Sequence, residues 1–242
     1  MSKFLLLGSA KQEYYKGLLV KADTGLHDQV IHYIKKYIPQ GSVILDFGAG
    51  EGAMSLRLVD CGYKVIAIDM DKENFKASGV EFFQVNFNKS EEISKMLEKY
   101  NSYFDAVIGL EVIEHVENPW DYIRLIKGML KNGGYLYVST PNIAYWLSRF
   151  KFLFTGRFMG FDTDSLSYGH ISPISAFELK LILETEKFKD IQIYSGGSSP
   201  TIWVSKSCLY NISHLLAIFF YPFMKGIKSG NCIISIAKKK SN

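Results

Sequence analysis

The stretch VILDFGAGEGAMSLRL, residues 43–58, restricts the fold more than any other part of this chain. An apolar run with β-branched residues leads into three glycines at alternate positions, Gly48, Gly50 and Gly52, and then into a helix-forming segment. Glycine turns sharply and lets the backbone approach a ligand that a Cβ would exclude. Strand, glycine turn and helix in that order form the opening unit of a parallel sheet that binds a nucleotide-like ligand at the head of its first strand. With Ala53 in the last position the same letters also satisfy the dinucleotide fingerprint, so the glycines alone do not choose the ligand.

Charge separates the candidates. Asp46 stands two residues before the first glycine and Glu51 lies inside the turn. A pyrophosphate would be repelled there, whereas a ligand with an ammonium and a sulfonium and no phosphate is favoured. The acidic rim of Asp46, Asp69 and Glu111 therefore suits S-adenosylmethionine. Asp69 ends the expected second strand, where a carboxylate accepts ribose hydroxyls from either ligand class.

Along the chain, short β-branched runs alternate with amphipathic stretches, the rhythm of βα units on a parallel sheet. Strands are predicted at 42–47, 64–69, 80–85, 105–110 and 134–139, with helices at 52–60, 71–77, 90–98 and 119–130. Asp71 and Ser90 read as N-caps, and Pro119 follows the cap Asn118. Helices are also expected at 12–20 and 26–37, before the first strand. After Thr140-Pro141-Asn142 the pattern changes to an aromatic helix and a Gly-, Asp- and Ser-rich loop. Helix 175–184, strand 187–194, helix 205–224 and strand 231–237 complete the chain.

With 242 residues and 48% hydrophobic content, the expectation is a single domain. Its parts are N-terminal helices (1–40), a cofactor-binding core (41–140), an acceptor cap (141–175) and the remainder of the sheet (176–242). A net charge of +4, spread along the chain, argues against nucleic acid as a partner. Three cysteines without metal or disulfide spacing fit a reducing, cytoplasmic setting. The apolar run 4–7 is too short for a signal-peptide core, and 215–223 too short to span a bilayer. The latter run, flanked by Lys206, Lys225 and Lys228, reads either as a core helix or pocket wall or as a weak membrane-surface contact.

The segments ILDFGAGEG, VIAIDMD, FDAVIGLEVIEHVENP and GGYLYVSTPN, in this order, resemble the class I S-adenosylmethionine-dependent methyltransferases over residues 25–195. The chain is most similar to the methyltransferase type 23 group, which includes ubiquinone-pathway O-methyltransferases and enzymes encoded with surface-glycan assembly genes. The resemblance implies a Rossmann-like α/β fold with a seven-stranded, mainly parallel sheet of order 3-2-1-4-5-7-6, flanked by helices, the last strand antiparallel. It places Gly48, Ala49, Gly50 and Gly52 against the methionyl and ribose portion, Asp69 on the ribose and Met70 against adenine. Asn86, beside Phe87, stands where the family usually has an acidic partner for the adenine amine; a register shift of two would bring Asn88 there instead.

In EVIEH, a helical turn would put Glu111, Glu114 and His115 on one face. Two readings stand. Relatives that share ExxEH imply a divalent metal held by Glu111, Glu114 and His115, with His170 as a fourth ligand; imidazoles favour Mn²⁺, Fe²⁺ or Zn²⁺ over Mg²⁺. Without metal, His115 or His170 serves as general base, with Glu114 beside them.

On the acceptor side, Trp146, Arg149, Lys151, Arg157, Phe158, Tyr168 and His170 are the groups able to grip a sugar, phosphate or carboxylate. The expected reaction is O-methylation of a small acceptor, a sugar, nucleotide-activated glycan or glycan precursor, with a lipid-linked or quinone-type acceptor as the alternative. An NAD-dependent oxidoreductase or epimerase would need a Tyr-x-x-x-Lys pair near the cleft, and the segment around Tyr33 fails that spacing. A non-catalytic scaffold would leave the glycine turn and acidic rim without purpose.

Overall fold

Successive residues of the central strands are buried on opposite faces, so both faces of the sheet are covered, as in parallel sheets whose crossover helices lie on each side. Val107 packs into one core and its neighbours Ala106 and Ile108 into the other; Leu45 and Ile44 divide in the same way. The computed structural model describes residues 12–87, 89–166, 169–198 and 208–241. In chain order the elements are β1 (Tyr14–Tyr15), β2 (Leu18–Leu19), α1 (Leu26–Tyr37), β3 (Val43–Phe47), α2 (Ala53–Asp60), β4 (Lys64–Asp69), β5 (Glu81–Gln84), α3 (Ser90–Tyr100) and β6 (Phe104–Leu110). They continue with α4 (Pro119–Met129), β7 (Leu130–Pro141), α5 (Trp146–Thr155), α6 (Thr163–Leu166), α7 (Ala176–Thr185), β8 (Phe188–Gly196), α8 (Cys208–Phe220) and β9 (Cys232–Lys239).

The seven-stranded sheet runs β5-β4-β3-β6-β7-β9-β8, with β9 antiparallel to both of its neighbours. Numbered among themselves, these strands have the expected order 3-2-1-4-5-7-6. Helices α1 and α2 cover one face, and α3, α4 and α7 the other. The order reverses between β3 and β6, so a crevice opens beyond their C-terminal ends, where ligands of open α/β sheets bind.

Helix α4 begins as its sequence dictates: the Asn118 side chain accepts from the backbone of Trp120 and Asp121, and Pro119 opens the first turn. Two expected helices are absent. Residues 12–20 instead form the β1–β2 hairpin, turned by Lys16 and Gly17, both at positive φ, the conformation of the favoured two-residue loop. Tyr15 is drawn from this hairpin onto α2, where it hydrogen-bonds Asp60 at 2.5 Å and stacks on Arg57. In 71–77, Asp71 does accept from Glu73 and Asn74, as a cap would, yet the chain makes only a turn. Lys76 N–H donates to the Glu51 carbonyl and Phe75 stacks on Phe82, so this segment is used to wall the glycine turn. Of the expected helix 205–224, residues 205–207 lie outside the described part; α8 ends at Phe220, and a 3₁₀ turn, Tyr221–Phe223, follows.

Candidate active site

The glycine turn is shaped by what presses on it. Gly48 and Gly52 sit at φ 82° and 88°. A Cβ on Gly48 would overlap Val112, and one on Gly52 would overlap Ala77 and meet Phe75 at 2.8 Å. No other residue fits both the conformation and the space. The turn is tied to the end of β4: Gly48 and Ala49 donate to the Ile68 carbonyl, and Gly50 donates to Asp69 Oδ2 at 2.8 Å. Asp69 Oδ1 accepts from Asp71 N–H at 3.0 Å. A carboxylate has about four acceptor directions, so Asp69 keeps capacity for ribose hydroxyls.

A cavity of about 810 Å³ begins at this turn, a size suited to a nucleoside-sized ligand. Its cofactor end is lined by Asp46, Gly48, Ala49, Gly50, Asp69 and Met70; Phe87, Glu111, His115 and His170 line the rest. Phe87 is held there by contact with Phe47, ring centroids 4.4 Å apart. Gly52 and Asn86 stand behind the wall. Gly52 supports the turn, and the Asn86 backbone N–H is bound to Glu92 at 2.7 Å. Asn88 lies outside the described residues.

The acids of the rim differ in what they do. Glu51 is consumed internally: it accepts from Leu19 N–H at 2.9 Å and Lys76 Nζ at 2.6 Å, and the Lys76 contact holds its pKa below the usual range. It lines the cavity and fastens the β1–β2 hairpin. Asp46 is almost fully buried, and burial lifts its pKa to about 6 against the opposing hydrogen bond from Ser55; the nearby Asp69 charge adds to the rise. Glu111 is raised further, to about 7, chiefly by burial, while Ser139 and Cys232 donate to its two oxygens. Two acids held near neutrality beside a cavity favour a cationic ligand, whose charge offsets their desolvation.

Beyond β6 the chain does not make the expected α-turn. Glu111 takes φ 55°, and a 3₁₀ turn, Ile113–His115, follows. Glu111 is thereby directed toward Ser139 and Cys232, apart from Glu114. The loop after α6 is stitched to this turn: Ile171 and Ser172 N–H both donate to the Glu114 carbonyl at 3.0 Å, and Ser172 Oγ donates to Val116. These bonds deliver His170. Its ring lies 4.8 Å from that of His115 at 78°, and Nδ1 is 2.8 Å from the Gly160 carbonyl. A carbonyl only accepts, so in the neutral ring the proton sits on Nδ1 and Nε2 is the nitrogen left to accept one. Glu114 is fully buried, and neither of its oxygens makes a hydrogen bond of regular geometry. Burial, together with the Glu111 charge, pushes its pKa well above the carboxylate range; the Thr140 hydroxyl opposes this. Donor atoms of Glu114, His115 and His170 lie within 4.8 Å of one another, and Glu111 is outside that set.

The anion-gripping groups of the cap have other duties. Arg149 donates to the carbonyls of Ala144 and Lys225, Lys151 pairs with Asp162 at 3.0 Å, and Trp146 is buried against Tyr221. Phe158 stacks on Phe152, Arg157 is exposed, and Tyr168 lies outside the described residues. Sequence reasoning missed Ser55, Ser139 and Cys232, which partner the rim acids from distant positions. It also missed His27, which lines the cavity from α1 with Nδ1 unpartnered; burial, reinforced by Arg57, lowers its pKa to about 3.

A seven-stranded sheet of this order, with a glycine turn after its first strand, a carboxylate ending the second and acids facing the crevice, defines the class I S-adenosylmethionine-dependent methyltransferases. Residues 21–193 match the family model described as methyltransferase domain, and the chain belongs to that family. S-adenosylmethionine is the family's cofactor, and the glycine cradle and near-neutral acids fit its adenosine and its cationic sulfur. The chain is 31% identical over 106 residues to a ubiquinone biosynthesis O-methyltransferase of Caulobacter vibrioides, covering 43% of this chain and 42% of that protein. It is 36% identical over 117 residues to the protein of that name from Xylella fastidiosa, covering 46% and 47%. The match thus spans less than half the length of these curated relatives. In fold it is similar to a SAM-dependent methyltransferase from Archaeoglobus fulgidus, with a TM-score of 0.59 at 18% identity over 88% of this chain and 94% of that one. A phosphoethanolamine N-methyltransferase of Haemonchus contortus, solved with S-adenosyl-L-methionine, gives a TM-score of 0.54 at 13% identity over 88% and 52%.

Proposed function

We propose that this protein catalyses transfer of a methyl group from S-adenosylmethionine to a hydroxyl oxygen of a small acceptor. The observation that carries the reading is a single cavity with the glycine turn and Asp69 at one end and the imidazoles of His115 and His170 at the other. When bound, the cofactor supplies an electrophilic methyl group on a positively charged sulfur. The chain's own part is to hold that charge with Asp46 and Glu111, to orient the acceptor oxygen, and to take its proton. His170 Nε2 receives the proton, because the Gly160 carbonyl fixes the opposite nitrogen as donor. Holding the oxygen about 3–3.5 Å from the methyl carbon supplies most of the rate.

Among acceptors, a soluble nucleotide-activated glycan loses support, since Arg149 and Lys151 are occupied within the cap. A lipid-linked glycan precursor or a quinone-type ring is favoured by the apolar outer surface of α5 and α8, and the quinone-type ring agrees with the name of the curated relatives. A second reading rests on the convergence of Glu114, His115 and His170, whose two imidazoles suit Mn²⁺, Fe²⁺ or Zn²⁺. The test is calorimetric titration with S-adenosylhomocysteine and with NADH, then incubation with S-adenosylmethionine and a panel of quinone-type phenols, lipid-linked sugars and sugar nucleotides, read as a mass gain of one methylene. Preferential binding of NADH would overturn the assignment.

A further inference from the structure

Helix α8 has a composition that its position in the fold does not account for. Among its described side chains Ala217 is buried, yet Leu215 and Phe219 are 67% and 66% exposed, and Ile212, Leu216, Ile218 and Phe220 are exposed as well. A helix apolar on most of its surface is ordinarily enclosed by protein or by lipid. Here α8 packs on α5, through Phe220 against Phe150 and through Ala217 with Trp146, and among the described residues the large side chains on the outer surface of both helices are exposed. Helix α5 adds Leu153 and Phe154, 71% and 64% exposed, and the turn after α8 adds Phe223 at 74%. These are large aliphatic and aromatic groups exposed on two helices that pack on each other, a combination that soluble surfaces seldom carry.

The rim chooses the occupant. Residues 122–161 and 191–242 contain no Asp or Glu, while Arg149, Lys151, Arg157, Lys225 and Lys228 fall within them. Lys151 is paired with Asp162, which lies just beyond; Arg157 and Lys225 are exposed. Lys228 lies over the Tyr221 ring at 4.2 Å, beside the apolar surface. A second copy of the chain is disfavoured, because a two-fold interface would set a rim with the exposed cations Arg157 and Lys225 against itself. We infer that the joint outer face of α5 and α8 docks the protein on an anionic lipid bilayer, with Leu153, Phe154, Leu215, Phe219 and Phe223 in the acyl boundary and Arg157 and Lys225 at the headgroups. The face is coupled to the site by short covalent and hydrogen-bonded paths. Asn142, at the end of β7, donates to three carbonyls of the 227–230 loop, and Trp146 N–H donates to Lys228. The inference does not depend on the acceptor proposed above.

The full chain is sedimented with vesicles of phosphatidylcholine alone or mixed equally with phosphatidylglycerol. Binding to the mixed vesicles, weak on the neutral ones and reduced by high salt, is expected. Replacing Leu215→Ser, Phe219→Ser and Phe223→Ser together should weaken partition by more than about tenfold, while calorimetric binding of S-adenosylhomocysteine stays unchanged and reports an intact fold. Arg157→Gln with Lys225→Gln, two exposed changes that leave the apolar packing alone, should weaken it about fivefold or more. Absence of vesicle binding, equal binding to neutral vesicles, or undiminished binding by both variants would overturn the inference. So would a concentration-dependent dimer that the apolar variant abolishes, which would assign the face to a second copy.

Discussion

Glu51 Oε2 accepts the backbone N–H of Leu19 at 2.9 Å, across 32 residues of chain, and so fixes the N-terminal hairpin as a wall of the cofactor cavity. The partner on the other oxygen, Lys76, is half exposed and screened, so the backbone bond does most of the fixing. Replacing Glu51→Ala leaves the Leu19 donor without this acceptor. Stability should fall by about 1–2 kcal/mol, and affinity for S-adenosylmethionine by several-fold, as measured by thermal unfolding and calorimetry. An unchanged affinity would show that the hairpin is no part of the site.

The two rim acids make cofactor binding depend on pH in a stated direction. Asp46, facing Ser55, Asp69 and the Tyr122 phenol, has its pKa raised to about 6, and Glu111, facing Ser139, Cys232 and Asp23, to about 7. The ligand-free fold therefore holds these protons more tightly than the unfolded chain does. That contribution to stability is present at low pH and lost as pH rises through about 6 and about 7. A bound cation favours the ionised forms, so affinity for S-adenosylmethionine should rise about tenfold or more between pH ~5.5 and ~8, with protons released on binding. S-adenosylhomocysteine lacks the sulfonium and should show a smaller dependence. Calorimetry in buffers of different ionisation enthalpy reads both; equal pH profiles for the two ligands would refute the role of the acids.

Asp69 joins the turn to the ribose site, and a conservative change separates these duties. Asn keeps one acceptor oxygen for Gly50 N–H but loses the charge and the second acceptor. Asp69→Asn should weaken cofactor binding by about 1.5–3 kcal/mol, the range of a hydrogen bond to a charged group, with a much smaller change in melting temperature. A stability loss that matches the affinity loss would make Asp69 a structural residue only.

What could be read from the residues follows the range of the interactions concerned. The turn at Gly48, the carboxylate at Asp69 and the cap at Asn118 are set by neighbours within a few positions, and local chemistry reveals them. The hairpin at Tyr14–Leu19 is anchored by Tyr15 on Arg57 and Asp60 of α2, the latter 45 residues away in sequence, and the helix expected at 71–77 was overridden by Glu51 and Phe82. Helical spacing grouped Glu111 with Glu114, but the left-handed backbone at Glu111 parts them, and the hydroxyl and thiol that hold it arrive on β7 and β9. Ion pairing of Lys151 and the carbonyl contacts of Arg149 are likewise long-range or loop-made. Local pattern therefore reports the cofactor half of the cavity far better than the acceptor half.

Substitution at the buried Glu114 separates the two chemistries proposed for the acceptor end. A metal that grips acceptor hydroxyls must face the cavity, yet Glu114 is fully buried and is not on the cavity wall, whereas His115 and His170 are. Burial and the Glu111 charge raise the Glu114 pKa well above its ordinary value and so favour the protonated carboxyl, of which glutamine is a near-isostere. Glu114→Gln should then retain fold and most turnover, and prolonged chelation should leave activity intact. His170→Asn, by contrast, removes the lone pair at Nε2 and should lower kcat by about 10²–10⁴ while S-adenosylhomocysteine binding is preserved. Activity lost to the chelator, restored by Mn²⁺ or Fe²⁺ and absent in Glu114→Gln, would instead assign the three converging side chains to a metal centre.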